Sequence, residues 1–450
     1  MVQPDTFAAL SPPARAVLRA WALLAVGALA VAGGLALLLA LARAPGTGTW
    51  LPWGADFFFR GLVTHVVFAF QIWFLAAFGA VLTLAVPSAA DRGGLGPPLA
   101  ASAGTALLLV PTLAGWGEPS LNNYVPVLDH PLFFAGLAAV GGGAGAAALR
   151  GVSRPRDWAR GPAPFGMAMA SLGLLAALAC FVLAALLIPS DTDPALRDER
   201  LFWGGGHVLQ FVNTLLLMAG WQTLSERAFG QGPLPPALAR ACFASLAVWC
   251  ALAPLLYLRL DVLGLASRQA FTELLWWGLP LPPSLMGAGL AWRMLGRRLD
   301  WRSPAVLASA LSLAVFALGG AAGFALGVGD TRTPSHYHAM IGGVNLVLMG
   351  LFHTVVLPAL GRAPIPGPMV RWQFLLFGGG QLLHALGFYL AGAEGAPRKT
   401  FGAAQGLHGV GELAAMAVVG VGGAVAVAGG ILFVAQTLRC LLRPGARHAP

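Results

Sequence analysis

Apolar runs long enough to cross a bilayer recur along the whole chain and constrain its fold more than any other feature. A membrane-spanning helix needs roughly 17–25 predominantly apolar residues, and runs of this length leave little chain for a water-soluble domain. Charged residues make up only 10% of the sequence and hydrophobic residues 58%, whereas about a quarter of a soluble domain is charged. The sequence therefore predicts an all-α, polytopic membrane protein.

We predict twelve transmembrane helices within a single integral-membrane domain that covers residues 1–450. No linker rich in Gly, Ser or Pro separates two halves, and the first apolar run is too long for a cleaved signal peptide. The predicted spans lie near 17–42, 60–86, 98–116, 131–149, 165–188, 202–224, 239–258, 270–292, 304–327, 336–359, 372–392 and 404–438.

The basic residues predict how these helices are oriented. A net charge of +10 in a chain this apolar indicates membrane topology and not nucleic-acid binding. If the spans alternate in direction, the side with both termini holds twice as many Arg and Lys residues as the other side, and loops 150–160 and 293–302 hold four Arg each. By the positive-inside rule both termini are cytoplasmic and the odd-numbered loops face outward.

Four histidines on three predicted spans lie at similar depth near the outer face. His65 is near the start of the second span, His207 near the start of the sixth, and His336 and His338 begin the tenth. Ionisable side chains at membrane depth are costly and by default indicate function. At about 100° per residue, His336 and His338 point about 200° apart, so one helix offers an imidazole to each of two flat cofactors. Neutral imidazole is the usual axial ligand of b-type haem; hydrogen bonding within a helix bundle is the alternative explanation.

The ordered set of motifs resembles subunit I of the haem–copper oxidase superfamily, which includes cytochrome c oxidases and nitric oxide reductases, with the B-type oxidases closest. The stretch "HYHAMIGGVNLVLMGLFHTVVLP" (336–358) resembles the family's tenth helix, "LFWGGGHVLQF" its sixth and "LPPSLMGAGLAW" (281–292) its eighth. The loop "GFYLAGAEGAPRKTFG" (387–402) is similar to the one in which a basic pair holds haem propionates, here Arg398 and Lys399. The likeness covers essentially the whole chain.

The resemblance implies two b-type haems, of which one is low-spin and one high-spin. It gives His65 and His338 as the axial ligands of the low-spin haem. His336 would be the single protein ligand of a high-spin haem, which leaves one side open to a gas. His207 would face that open side, where the family places copper or non-haem iron, and Tyr257 is the second candidate for a catalytic role there.

The sequence departs from the family at the second metal site. The family supplies two adjacent histidines from its seventh helix, and the corresponding stretch "LAPLLYLRLDVLG" (252–264) contains none. The place four residues after His207, where oxidases have tyrosine and nitric oxide reductases glutamate, holds Phe211. A lone imidazole is a poor site for copper or iron, which argues against either metal there. The alternative is an unusual site that Tyr257 or Glu273 completes with His207.

The remaining intramembrane polar residues are predicted to have structural roles. Glu412 follows His408 by four residues on one helical face, which favours a hydrogen bond or ion pair over a proton relay. His353 and His384 lie deeper in other spans, and we interpret both as packing histidines.

These features predict a haem-binding membrane oxidoreductase subunit in which electrons pass from the low-spin to the high-spin haem. The second haem would bind O2 or NO and could reduce it, as in a terminal oxidase or nitric oxide reductase. A second respiratory subunit or an electron donor (cytochrome c, a cupredoxin or quinol) is the expected partner, at a bacterial inner membrane with the haem side facing the periplasm. One alternative is a non-catalytic dihaem relay or gas sensor that lacks the second metal site. Another is a metal or proton transporter, although the histidines cluster at one face.

Overall fold

The computed structural model describes residues 10–43, 55–88, 90, 94–327, 329–362, 367–400 and 402–443. Within these ranges, eleven helices are long and apolar enough to cross a membrane, and they occupy the positions of eleven of the twelve predicted spans. The chain is therefore an integral membrane protein built from α-helices. The two termini, for which a cytoplasmic position is predicted, lie outside the described residues.

The elements follow one another as transmembrane helices with short connections. In chain order they are α1 (Pro12–Arg43), α2 (Ala55–Val66), α3 (Trp73–Ala85), α4 (Gly96–Ala114), β1 (Glu118–Ser120), β2 (Val127–Asp129), α5 (Pro131–Val152), α6 (Pro155–Trp158), α7 (Pro162–Leu187), α8 (Pro194–Phe229), α9 (Pro236–Leu252), α10 (Leu265–Gly278), α11 (Leu281–Met294), α12 (Pro304–Gly323), α13 (Arg332–Leu351), α14 (Leu357–Ala359), α15 (Pro368–Ala393) and α16 (Val410–Leu442). Two π-helical turns (Val67–Ile72 and Phe352–Val356) and two 3-10 turns (Ala253–Leu258 and Gly402–Gln405) join or extend these helices. The strands β1 and β2 form an antiparallel hairpin between α4 and α5.

The interval predicted as the eighth span, 270–292, contains two helices instead of one. The helices α10 and α11 have 14 residues each, and each is too short to cross a bilayer alone. Pro280 lies at the break and is followed by two more prolines at the start of α11. Proline has no N–H to donate and clashes with the preceding turn, so a continuous helix ends here. The predicted count of twelve spans is not confirmed in the described part of the chain.

The carboxylate expected inside the eighth span lies on the surface of α10. Glu273 is exposed and accepts a hydrogen bond from the Gln269 amide at 2.9 Å.

The chain divides into two compact units. Unit 1 comprises Met1–Ala28 and Val66–Leu295, and unit 2 comprises Leu29–His65 and Gly296–Pro450. Unit 1 contains His207 and Tyr257, whereas unit 2 contains the other five predicted site residues. The single domain expected from the sequence stays a prediction.

Glycine allows the closest helix contact in unit 2. A Cβ atom on Gly380 of α15 would collide with the backbone of Ala426 and Gly422 on α16, and one on Gly429 would collide with the backbone of Phe377. Small residues let transmembrane helices approach until their backbones touch, which provides packing where lipid supplies no hydrophobic driving force. The pair α15 and α16 is therefore a rigid part of unit 2.

The helix that begins at Arg332 is interrupted near its far end. α13 continues through the π-helical turn Phe352–Val356 into the short α14. Pro358 cannot donate a backbone hydrogen bond to Thr354, the residue four positions earlier, so the regular helical pattern fails at this point. Such π-helical turns are frequent at functional sites, and this one contains the buried His353.

Gly380→Ala should lower the melting temperature of the protein by several degrees. The added methyl group must push α15 away from α16, and overpacking of this kind typically costs about 1–3 kcal/mol. Thermal unfolding in detergent measures the effect. Gly379→Ala is the matched control, because a Cβ at Gly379 meets nothing within 4 Å. Equal melting temperatures for the two variants would contradict the packing role of Gly380.

Candidate functional site

The first two turns of α13 direct two histidines to two different neighbouring helices of unit 2. The Nδ1 atom of His336 lies 2.7 Å from the carbonyl oxygen of Gly319 on α12. Its ring also lies against Gly323, where a Cβ atom would come within 2.9 Å of it. The His338 ring lies 4.8 Å from the His384 ring and 5.5 Å from the Phe388 ring, both on α15. The two imidazoles thus leave α13 on different sides, as their spacing predicts.

Backbone carbonyl groups fix the tautomer of His65 and His336. His65, at the end of α2, places its Nδ1 atom 2.9 Å from the carbonyl oxygen of Ala32 on α1. A carbonyl oxygen only accepts, so Nδ1 donates in both histidines and the lone pair of each neutral ring is on Nε2. Histidines that bind metals are typically oriented by such a bond from the other ring nitrogen. Both side chains therefore fit ligation of a haem iron through Nε2.

His384 packs as expected, but its contact with His338 was not foreseen. The Nδ1 atom of His384 lies 2.8 Å from the carbonyl oxygen of Val419 on α16, and its ring meets that of Phe388 at 4.7 Å. Together His338, His384 and Phe388 form a ring cluster between α13 and α15. The i, i+4 spacing of His384 and Phe388 places them on one helical face, yet no sequence pattern indicates that this face meets His338.

The predicted propionate-binding loop is joined to the segment that leads into α13. Asp330 and Pro397 form an antiparallel bridge, and the Arg398 N–H donates to the carbonyl oxygen of Gly329 at 3.1 Å. These contacts tie the backbone of Arg398 to a point only a few residues before His336. The fold of unit 2 thus brings the basic loop and the histidine helix together at their backbones.

Lys399 has an unusual backbone conformation. Its φ of 60° makes it the one non-glycine residue with a positive φ in the described ranges. Residues other than glycine, asparagine and aspartate rarely adopt the left-handed region, and they persist there only where the surrounding structure imposes it. The direction of the chain at the basic pair is therefore set by the contacts of the loop and not by local preference.

Asp330 anchors the start of α13. Its carboxylate accepts hydrogen bonds from the Arg332 backbone N–H at 2.9 Å and from the Arg332 guanidinium at 2.8 Å. The guanidinium and the backbone N–H hold the pKa of the Asp330 carboxyl below its usual value. A negative charge at the first turn also interacts favourably with the helix dipole. The ionised carboxylate thus stabilises the turn from which the histidines follow.

In unit 1, both ring nitrogens of His207 have protein partners. Nδ1 donates to the carbonyl oxygen of Trp203 at 2.7 Å, and Nε2 lies 2.9 Å from the hydroxyl of Tyr124. Burial raises the pKa of Tyr124, so its phenol stays protonated and donates to Nε2. A metal or ligand at His207 would have to displace this hydroxyl. Tyr124 lies in the loop between β1 and β2, 83 residues before His207 in the sequence. Sequence reasoning missed this contact because no local sequence pattern links the two residues.

Tyr257 lies in the same unit as His207. Its hydroxyl packs so closely on Gly204 that a Cβ atom there has no room. The Phe271 ring stands 5.2 Å from the Tyr257 ring and 6.1 Å from the His207 ring. In the residues that the structure describes, no three His, Cys, Asp or Glu side chains are grouped to hold a metal ion. The catalytic roles of His207 and Tyr257 stay predictions.

Glu412 caps a helix. It lies three residues after Gly409 at the start of α16, and its carboxylate accepts from the backbone N–H groups of His408 and Gly409 at 2.8 and 3.0 Å. This is the structural hydrogen bonding that the sequence favours, although the partners are backbone groups and α16 begins later than the predicted span.

These features define a helical membrane protein whose unit 2 presents histidines suited to bind haem iron. The chain belongs to the family of cytochrome c and quinol oxidase polypeptide I, whose model matches residues 16–426. Membership supports a membrane-bound, haem-containing oxidoreductase of cytochrome oxidase subunit I type. It also confirms the predicted superfamily.

Two proteins and one solved structure are also similar to the chain. An uncharacterized protein of Aquifex aeolicus is 26% identical, with 74% of this chain and 82% of the relative covered. An uncharacterized protein of Rickettsia prowazekii is 22% identical, with 73% of this chain and 72% of the relative covered. A haem–copper terminal oxidase dimer solved by cryo-electron microscopy has the same fold, with a TM-score of 0.75, 15% identity, and coverage of 98% of this chain and 86% of that chain.

Asp330→Asn should destabilise the protein at neutral pH and have a smaller effect in acid. Because the pKa of Asp330 is lower in the folded state, its stabilisation is complete above the ordinary carboxyl pKa of about 4 and is lost as the pH falls through the lowered value. The difference in melting temperature between wild type and variant, measured in detergent from neutral pH to about pH 3, should therefore shrink in acid.

The exposed Asp191 provides the control for this experiment. Asp191→Asn should leave the melting temperature nearly unchanged at every pH, since an exposed carboxylate in a loop contributes little. A gap between wild type and Asp330→Asn that stays constant down to the lowest pH would contradict the role of the ionised carboxylate.

Proposed function

We propose that the chain is a dihaem membrane subunit that transfers electrons toward a gas-binding haem. One observation carries the proposal: unit 2 contains His65 and His336, each with Nδ1 bonded to a carbonyl group, and His338 on the opposite side of the helix that bears His336. Two haems would need three such ligands if one iron is six-coordinate and the other five-coordinate.

Each histidine of unit 2 would have its own role in haem binding. His65 and His338 would hold the low-spin haem from both faces, and His336 would hold the high-spin haem from one face. The carbonyl groups of Ala32 and Gly319 would keep the Nε2 atoms of His65 and His336 directed at iron. When bound, the haems would supply the one-electron chemistry and the open coordination position for O2 or NO. This division rests on the family resemblance together with the tautomers described above.

The basic pair would neutralise propionate groups. Two carboxylates at membrane depth need charge-assisted hydrogen bonds, and Arg398 and Lys399 are tied to the segment before α13 by the bridge between Asp330 and Pro397. In a bacterial inner membrane this end of the bundle would face the periplasm, since the loops with most arginine lie on the other side. A cytochrome c, a cupredoxin or quinol would donate electrons there, directly or through a second subunit.

A second candidate function is a dihaem relay or gas sensor without turnover. His207, the residue expected opposite the high-spin haem, already bonds Trp203 and Tyr124 with its two nitrogens. The seventh-helix histidines of the family are also replaced in this sequence. In this case a gas would bind, but supplied electrons would not reduce it.

Optical spectra of the purified protein test the proposal. We expect two haems per chain in the reduced-minus-oxidised spectrum, with carbon monoxide shifting only one of them. Metal analysis for iron and copper accompanies the spectra. Steady consumption of O2 or NO with an artificial electron donor would favour the reductase, and a carbon monoxide shift without turnover would favour the relay or sensor. Protein that takes up no haem would overturn both and favour a transporter.

Variants of the two histidines on α13 should separate the haems. His338→Ala should remove the low-spin spectrum and retain the carbon monoxide shift, whereas His336→Ala should abolish the shift and retain the low-spin spectrum. His130→Gln is the control, because His130 caps α5 in unit 1 and should leave both spectra unchanged. Loss of the same haem in both α13 variants would contradict the assignment.

Removing the basic pair should lower the reduction potential of the low-spin haem. Nearby positive charge favours the reduced iron, which carries one positive charge less, so Arg398→Gln with Lys399→Gln should shift the midpoint downward by tens of millivolts. Redox titration measures the shift. Arg371→Gln, at the opposite end of α15 and exposed, is the control; an equal shift in both proteins would argue against a propionate site at 398–399.

A further inference from the structure

A second polar site lies in unit 2, far from the predicted haem ligands. His353 follows His336 by seventeen residues on one nearly continuous helix, which places it about 25 Å further along the axis. Four almost completely buried polar residues belong to this site: His353, Gln373, Gln436 and Thr437, with exposures of 2%, 0%, 3% and 0%. We name them the His353 cluster.

Each member of the His353 cluster keeps a polar atom without a protein partner. His353 Nε2 donates to the Gln373 side-chain oxygen at 2.7 Å, so the lone pair of the ring is on Nδ1. That Nδ1 atom, the Gln373 Nε2, the Gln436 Oε1 and the Thr437 Oγ1 are all buried and unpaired. Buried polar groups in native proteins are nearly always paired with protein or with ordered water. Four unpaired atoms in one cluster therefore indicate a ligand.

The four residues face one region between three helices. The Phe433 ring of α16 stands 5.8 Å from the His353 ring at a near-perpendicular angle. Gln436 and Thr437 follow Phe433 by three and four residues, so they lie one turn further on the same helical face. Gln373 reaches the region from α15 through its bond to His353. The unpaired donors and acceptors thus belong to neighbouring side chains and are not scattered through the protein.

The chemistry of the cluster selects a small neutral ligand that both donates and accepts. The cluster has acceptors at His353 Nδ1 and Gln436, a donor at Gln373, and a hydroxyl at Thr437 that can do either. It contains no carboxylate, thiolate or guanidinium that would select a metal ion or an anion. Water meets these requirements, since a buried water typically makes about three hydrogen bonds to polar groups that lack other partners.

We propose that the His353 cluster is an internal water site of unit 2, in which a buried water bonds His353 Nδ1 and the unpaired side-chain oxygens of Gln436 and Thr437. The π-helical turn that contains His353 supports this role, because it breaks the regular helical hydrogen bonding beside the cluster. The proposal does not depend on haem binding.

Polar atoms continue from the cluster toward the ring cluster of His338. The side-chain oxygen of Gln381 is also buried and unpaired, and it lies eight residues after Gln373 on α15, about 12 Å along the axis. Gln381 packs against Gly342 of α13, where a Cβ atom would come within 3.1 Å of it. Three residues later comes His384.

Hydrogen–deuterium exchange at the histidine Cε1 position tests the proposal on the full-length protein in lipid nanodiscs. Exchange of this carbon-bound hydrogen requires water at the ring, and mass spectrometry resolves each histidine. His353 should exchange at least about tenfold faster than His207, which is equally buried at 2% exposure but has protein partners on both nitrogens. Exchange of His353 as slow as that of His207 would overturn the proposal.

Two variants test whether the exchange of His353 depends on water at the cluster or on general flexibility of the protein. Gln373→Leu and Thr437→Val remove polar partners for water, and each should slow the exchange of His353 about tenfold without changing His207. Thr223→Val is the matched control, because the Thr223 hydroxyl bonds the carbonyl group of Ala219 in its own helix. Unchanged exchange of His353 in both cluster variants would also overturn the proposal.

An experimental density map keeps the test decisive if Gln373→Leu fails to fold. A cryo-electron microscopy map of the wild-type protein that resolves ordered water should show density within hydrogen-bonding distance of His353 Nδ1. Well-resolved side chains with no density beside them would contradict an internal water site.

Discussion

Every polar group that enters a bilayer needs a partner, because hydrocarbon supplies none, and four histidines of this chain meet that need with backbone carbonyl groups. His65, His336 and His384 in unit 2, and His207 in unit 1, each direct Nδ1 at a carbonyl oxygen. The difference between them lies in Nε2. In His207 a tyrosine hydroxyl occupies it, whereas in His65 and His336 the same tautomer leaves a lone pair suited to iron. The shared bond at Nδ1 thus permits these histidines in the bilayer, and the partner at Nε2 distinguishes their chemistry.

Sequence reasoning predicted the parts of the fold that depend on local patterns. The lengths of the apolar runs predicted the positions of eleven helices. At 270–292 they predicted one helix where the structure has two, because the length of a run reflects composition, whereas Pro280 ends the helix. The spacing of His336 and His338 predicted their divergence, since helical geometry alone determines it. The contacts of His207 with Tyr124 and of His338 with His384 depend on tertiary packing between distant residues, and no local pattern contains that information. The same holds for the unpaired atoms around His353, a residue for which the sequence indicates only packing.

The segment before α13 connects several features of unit 2 that look independent in the sequence. Asp330 holds the first turn of the helix through Arg332, and through its bridge to Pro397 it also holds the loop with the basic pair. The two side chains of α13 that are expected to bind iron and those expected to bind propionates therefore share one support. A shift of this segment would move both sets together and preserve their spacing, which is what a rigid planar cofactor requires.

Gly323 illustrates how a residue without a side chain can control a ligand. The His336 ring rests on it, and a Cβ atom there would come within 2.9 Å of the ring. The plane of the imidazole is therefore set from α12, by a surface that exists only because a methyl group is missing. A side chain at this position would compete with the ring for space while leaving the histidine in the sequence unchanged. The orientation of an imidazole proposed to bind iron can thus change through a residue on a neighbouring helix.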